Sequence, residues 1–267
     1  MRETDSMISL ENVTVKYRLL KERKRTFQAH LINYLKGRQR EIQTLWALRD
    51  VSLHVGKGEA WGVIGHNGAG KSTLLKVVSG VIKPAAGKVD VKGRIAPLIE
   101  LSAGFDKELT GRENVYLNAA ILGLSRKEID EKMEKIIAFS ELEDFINAPI
   151  RSYSSGMVTR IGFSIVSQVD ADILIVDEVL AVGDWRFKKK SKERILEFKE
   201  GGGTVLYVSH HTDEVKKLCD KVLWLDHGRT KMVGDPETVI GEYEREQAGK
   251  ETMDLGATVD ETPFSSD

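Results

Sequence analysis

The chain contains a single cysteine, Cys219, among 267 residues. One thiol excludes an intramolecular disulfide and any multi-cysteine metal centre, and it fits a cytoplasmic compartment. No stretch approaches the roughly 18 uninterrupted apolar residues needed to span a bilayer, so any membrane role is expected to come through a partner. A secretory leader is not expected, because Met1-Arg2-Glu3-Thr4-Asp5 has no apolar core behind it. An excess of charge is also missing. The 40 Lys and Arg balance 41 Asp and Glu, for a formal net charge of −1, which leaves no electrostatic footprint for nucleic acid. What the chain does have is 41% hydrophobic and 30% charged residues. That is enough for a full core under a soluble surface, in one large domain or a domain with a subdomain.

The most specific motif is Gly65-His66-Asn67-Gly68-Ala69-Gly70-Lys71-Ser72-Thr73, which has the spacing G-x-x-x-x-G-K-[ST] of a phosphate-binding loop. An apolar run, Ala60 to Ile64, leads into it and a helical pattern, Thr73 to Val78, leads out. The glycines let successive backbone N–H groups turn inward around a phosphate, and the helix N-terminus adds a favourable dipole. Lys71 is then placed to pair with β- and γ-phosphate oxygens, and the Ser72 hydroxyl to ligate Mg²⁺.

A second motif, Ile173-Leu174-Ile175-Val176-Asp177-Glu178, reads as a buried strand whose terminal Asp177 carboxylate reaches Mg²⁺. Glu178 follows at the strand exit, where it is positioned to orient or deprotonate a water attacking the γ-phosphate. A third, Tyr153-Ser154-Ser155-Gly156-Met157, opens a helix with a serine cap and small residues, offering a hydroxyl and free N–H groups to an anion.

Strands are expected at Met7–Tyr17, 45–55, Ala60–Ile64, Lys88–Val91, Gly93–Leu98, Ile173–Asp177, Thr204–Ser209 and Val222–Asp226. Helical patterns cover Gly111–Leu122, Ser125–Phe139, Ser154–Val169, Phe187–Lys199, Thr212–Leu218 and Pro236–Tyr243. Ser125 and Glu128 form an S-x-x-E capping box. This βα alternation implies an α/β core with a helical insertion. Arg18 to Arg40 carries eight Lys and Arg against Glu22 alone, with Leu20, Phe27, Leu31 and Tyr34/Leu35 at helical spacing. That is a basic amphipathic helix, either lying at an anionic membrane surface or packing its apolar stripe on the domain. From Glu242 eight acids face two bases, and Gly256–Asp267 is aperiodic; a disordered acidic tail is expected from 246.

In this order the motifs resemble those of the nucleotide-binding subunits of ABC transporters, over roughly residues 7–245. The resemblance implies an ABC-type P-loop ATPase over 1–245, with a RecA-like α/β core and an antiparallel β subdomain. It also implies a helical subdomain at about 107–168, with the basic insertion spanning 18–44. By that resemblance His210 is the switch histidine at the γ-phosphate. Asp184, in Ala181-Val182-Gly183-Asp184, lies in the loop coupling two sites across a dimer. Tyr17 stacks on adenine, with Trp46 as its rival.

Ser154, Ser155 and Gly156 of one chain complete the ATP site of a second copy, head to tail. The loop Leu98-Ile99-Glu100-Leu101 contacts a membrane permease, with Glu100 near the position of the family's glutamine. A carboxylate there can ligate Mg²⁺ but cannot donate a hydrogen bond when ionised. Tyr-Ser-Ser-Gly-Met, Leu-Thr-Gly-Arg-Glu-Asn and Val-Asp-Glu-Val-Leu-Ala-Val-Gly-Asp look like exporters of polysaccharides and polyol phosphates. The resemblance favours teichoic acid export, with O-antigen or capsule export as the alternative. It places the protein on the cytoplasmic face of the membrane, with residues 18–40 near an anionic lipid or polymer.

Overall fold

The computed structural model describes residues 6–20, 42–99, 104–177, 184–209 and 211–257. The chain starts with two long strands, β1 (Ser6–Leu20) and β2 (Ile42–Gly56), followed by β3 (Ala60–Ile64) and helix α1 (Lys71–Val78). Strands β4 (Ala86–Val91) and β5 (Ile95–Leu98) precede a helical unit of α2 (Gly111–Ile121), α3 (Arg126–Ser140) and α4 (Ser155–Ser167). Then β6 (Ile173–Val176), α5 (Trp185–Glu200), β7 (Thr204–Val208), α6 (Thr212–Leu218) and β8 (Lys221–Asp226) alternate, before β9 (Arg229–Gly234) and α7 (Pro236–Ala257).

The strands form two sheets. One is antiparallel, in the order β2-β1-β4; the other has the order β5-β6-β7-β3-β8-β9 and is parallel except where β9 returns against β8. The central strands are apolar on both faces because both faces are covered. On β3, Trp61 and Val63 enter the layer shared with the antiparallel sheet, while Ala60 and Ile64 enter the layer under the helices. The same alternation holds on β6, where Ile173 and Ile175 face one layer and Leu174 and Val176 the other. The helical unit is fixed by capping boxes at Thr110/Glu113 and Ser125/Glu128, the latter as the sequence indicates. Its inner face buries Val115, Ile129, Met133 and Ile136.

Three expectations change. Residues 18–20 and 42–44 belong to β1 and β2, paired as Arg18–Thr44, Leu19–Gln43 and Leu20–Ile42. Cross-strand pairing therefore overrides the helical spacing at residues 18–20 and draws 42–44 into β2; the remainder of the basic insertion, 21–41, lies outside the described residues. Helix α7 runs on through Ala257, so the acidic segment from 246 begins as helix. Strand β9, polar and largely exposed, was not marked by any apolar alternation.

Candidate functional site

The loop after β3 sits at the carboxyl edge of the parallel sheet, where ligands bind in open α/β sheets. Its glycines are required by contact as well as by backbone conformation. Gly65 has φ 148° and a Cβ there would lie 2.2 Å from the Leu225 carbonyl oxygen; at Gly70, with φ 110°, it would lie 2.6 Å from that of Ala47. Ala69 N–H donates to His66 O at 3.1 Å and Leu74 N–H to Gly70 O at 2.9 Å, so the loop turns directly into α1. Gly70 caps α1 without a side-chain acceptor, which leaves first-turn N–H groups directed at the loop's concave side. Lys71 is buried, and its Nζ donates to Gly65 O at 2.7 Å and His66 O at 3.1 Å. Ser72 stands exposed beside it and Thr73 is half-buried. The chain therefore supplies an amide cradle, an ammonium and a hydroxyl on one turn, a set that fits a triphosphate with its cation.

Two strands away, Asp177 ends β6 with 9% exposure, bringing a carboxylate to the same edge of the sheet. Its neighbour Glu178 lies outside the described residues, as do His210, Glu100 and Leu101. Among the described residues, Ser209 follows β7 with 3% exposure, and its Oγ accepts from His211 N–H at 3.0 Å.

Ser154 caps α4 and accepts from Met157 N–H at 3.2 Å. Ser154 and Ser155 are exposed. Among the described residues, a Cβ at Gly156 would meet nothing nearer than Ser154 Oγ at 3.8 Å, so none of their contacts requires glycine there. Asp184 has a local role: it caps α5, accepting from Arg186 N–H at 2.9 Å and Phe187 N–H at 3.0 Å. It also pairs with Arg160 of α4, which in turn pairs with Glu141 at 3.1 Å. One carboxylate thereby joins α5 to the helix behind Ser154.

Two further placements concern the permease loop and the adenine candidates. Leu98 is 1% exposed in the helix-covered core, so its side chain is not available to a permease. Ile99 instead lines a groove of about 410 Å³ with Phe105, Val81 and Ile121. Tyr17 is half-buried, whereas Trp46 is 41% exposed next to the Ala47 segment that touches Gly70. Lys16 and Arg49 flank the Trp46 ring at 5.8 and 5.6 Å.

A phosphate cradle at the carboxyl edge of a parallel sheet, with a buried aspartate two strands away at the same edge, defines a P-loop nucleotide triphosphatase. Residues 48–181 match the family model described as ABC transporter, and the chain belongs to that family as its ATP-binding, ATP-hydrolysing component. It is 53% identical over 225 residues to an O-antigen export system ATP-binding protein of Klebsiella pneumoniae, covering 84% of this chain and 87% of that one. It is 39% identical over 238 residues to a teichoic acids export ATP-binding protein of Staphylococcus haemolyticus, covering 89% and 88%. A dimeric ATP-binding cassette in a post-hydrolysis state, bound to ADP and Pi, superposes with a TM-score of 0.69 at 21% identity. That overlap covers 86% of this chain and 99% of the cassette, and it establishes the fold.

Proposed function

We propose that two copies of this chain close head to tail around two ATP molecules and drive a separate membrane permease that exports a lipid-linked glycopolymer. The observation that carries the two-copy reading is Gly156. It sits on the exposed N-terminus of α4 with free space around it, as expected where a phosphate from another subunit must approach backbone. Lys71 and the loop amides hold the β- and γ-phosphates. Ser72 and Asp177 hold Mg²⁺, which neutralises charge on the transferring phosphoryl group. Glu178 orients the attacking water and His210 contacts the γ-phosphate, roles that rest on the motif resemblance. Trp46, rather than Tyr17, offers the more exposed ring to adenine.

The groove lined by Ile99, Phe105, Val81 and Ile121 is the docking surface for the permease, at the cytoplasmic face of the membrane. Val81 and Ile121 are 71% and 66% exposed, as an apolar contact patch requires. Relatives at 53% and 52% identity are named for O-antigen export, and relatives between 39% and 44% for teichoic acids. The higher identity favours an O-antigen type of polysaccharide; teichoic acid is the second reading.

Glu178→Gln tests the engine: ATP binding persists while steady-state hydrolysis falls to background. Unchanged hydrolysis in that variant removes Glu178 from the mechanism. For the cargo, the chain and its permease are expressed in strains lacking O-antigen export or teichoic acid export. Rescue of the teichoic acid strain alone overturns the O-antigen preference, and rescue of neither overturns the glycopolymer reading.

A further inference from the structure

The turn joining β8 to β9 places Asp226 and His227 beside His66, the second residue of the phosphate loop. His66 Nδ1 lies 2.7 Å from the Asn67 carbonyl oxygen. That oxygen only accepts, so Nδ1 carries the proton and donates to it. Nε2 then presents a lone pair. It is buried, has no hydrogen-bond partner, and lies 3.2 Å from Asp226 Oδ1, a second acceptor. In the neutral ring two lone pairs at that separation repel one another, so either a second proton on the imidazole or a metal ion must lie between them. His227 completes the group: its ring centroid is 4.6 Å from that of His66, and one ligand atom from each residue falls within 4.8 Å of the others. His227 is held at φ 46°, a conformation that a residue with a Cβ adopts at some cost.

We propose that His66, Asp226 and His227 bind a divalent transition-metal ion of the Zn²⁺ class. Two imidazole nitrogens and one carboxylate oxygen suit such an ion far better than Mg²⁺, which prefers an all-oxygen shell. Three protein ligands leave a fourth position for water. The bond from His66 Nδ1–H to Asn67 O is the outer hydrogen bond that orients a ligating imidazole. The Lys231 ammonium lies 3.9 Å from the other carboxylate oxygen of Asp226. It is also paired with Glu246, so Oδ1 stays directed at the imidazole. An ion at this site pins the phosphate loop to the β8–β9 turn through His66, the residue whose own carbonyl receives Lys71. Metal and nucleotide would therefore act on the same loop.

Nucleotide-free full-length protein is titrated with Co²⁺ in excess Mg²⁺, following visible d–d absorption, and Zn²⁺ is then added as competitor. The expected result is one equivalent of Co²⁺, displaced by Zn²⁺ and insensitive to Mg²⁺. His227→Ala and Asp226→Asn should each weaken binding at least about tenfold, as loss of a ligand or its support does. Zn²⁺ should raise the midpoint of thermal unfolding in the parent chain and not in His227→Ala. Fluorescent ATP-analogue binding by His227→Ala should be unchanged, which also shows that the variant is folded. The absence of a Co²⁺ band means that a proton alone fills the gap and overturns the proposal. So does a band that survives in both variants, or one that Mg²⁺ abolishes.

Discussion

Lys71 holds its ammonium against two carbonyls of its own loop, so removing it takes away the proposed phosphate partner and leaves those acceptors under-satisfied. Charge-assisted hydrogen bonds contribute about 1.5–3 kcal/mol each. Lys71→Ala should therefore weaken ATP binding by about 100-fold or more, read by titration calorimetry. Cys219 behaves in the opposite way, as a residue the chemistry leaves alone. Burial pushes its thiol up to about 12, and it is 6% exposed, so almost no thiolate is present at neutral pH. Native protein should resist a thiol reagent and label only as fast as the region opens; labelling at the rate of a free thiol would show that the site is not closed. Residues of the first kind were legible in the sequence because their spacing is set by phosphate geometry. Asp226 and His227 were not, since their significance comes from a partner, His66, that only the sheet brings near.

Short-range signals proved more reliable at the scale of elements. Ser125 and Glu128 announce α3, and β3, β6 and β7 announce themselves as unbroken apolar runs. Thr110 and Glu113 form the equivalent box on α2, with Glu113 Oε2 accepting from Thr110 N–H at 2.8 Å. Thr110→Ala should cost about 1 kcal/mol in chemical denaturation; a loss below the error of the measurement would mean that packing alone holds the helix end. The elements that escaped the sequence reading share a cause. Strand β9 is an exposed edge with no hydrophobic face to advertise, and the ends of β1 and β2 take their conformation from each other. Helical spacing over 18–40 cannot report that pairing, which depends on residues far apart in the chain.

For the whole molecule, the fold class and the order of layers followed from strand–helix alternation, while the contacts holding the two sheets together did not. One of these is centred on Glu59. Partial burial opposes its charge, but the Trp61 indole N–H, the Gly56 N–H and Lys221 all favour the carboxylate, and its pKa falls below the usual 4.5. A depressed carboxylate stabilises the fold above its unfolded pKa, and that contribution is lost as pH falls through the lower folded value. Stability should therefore decline below about pH 4.5 more steeply in the parent than in Glu59→Gln, measured by denaturant midpoint against pH. Parallel curves would show that Glu59 titrates alike in both states.

A second such contact is the β8–β9 turn. Gly228 N–H donates to Ala69 O at 2.9 Å in the phosphate loop, while Gly228 O accepts from Arg49 N–H at 2.7 Å on β2. A single residue thus rivets the sheet that presents Trp46 to the loop that presents Lys71. If Trp46 stacks on the base and Lys71 pairs with the phosphates as proposed, the two grips are joined through this one residue. On that proposal a nucleotide whose base and phosphates do not match the span would have to break the rivet in order to bind, which would make the joint a ruler for the length of the ligand.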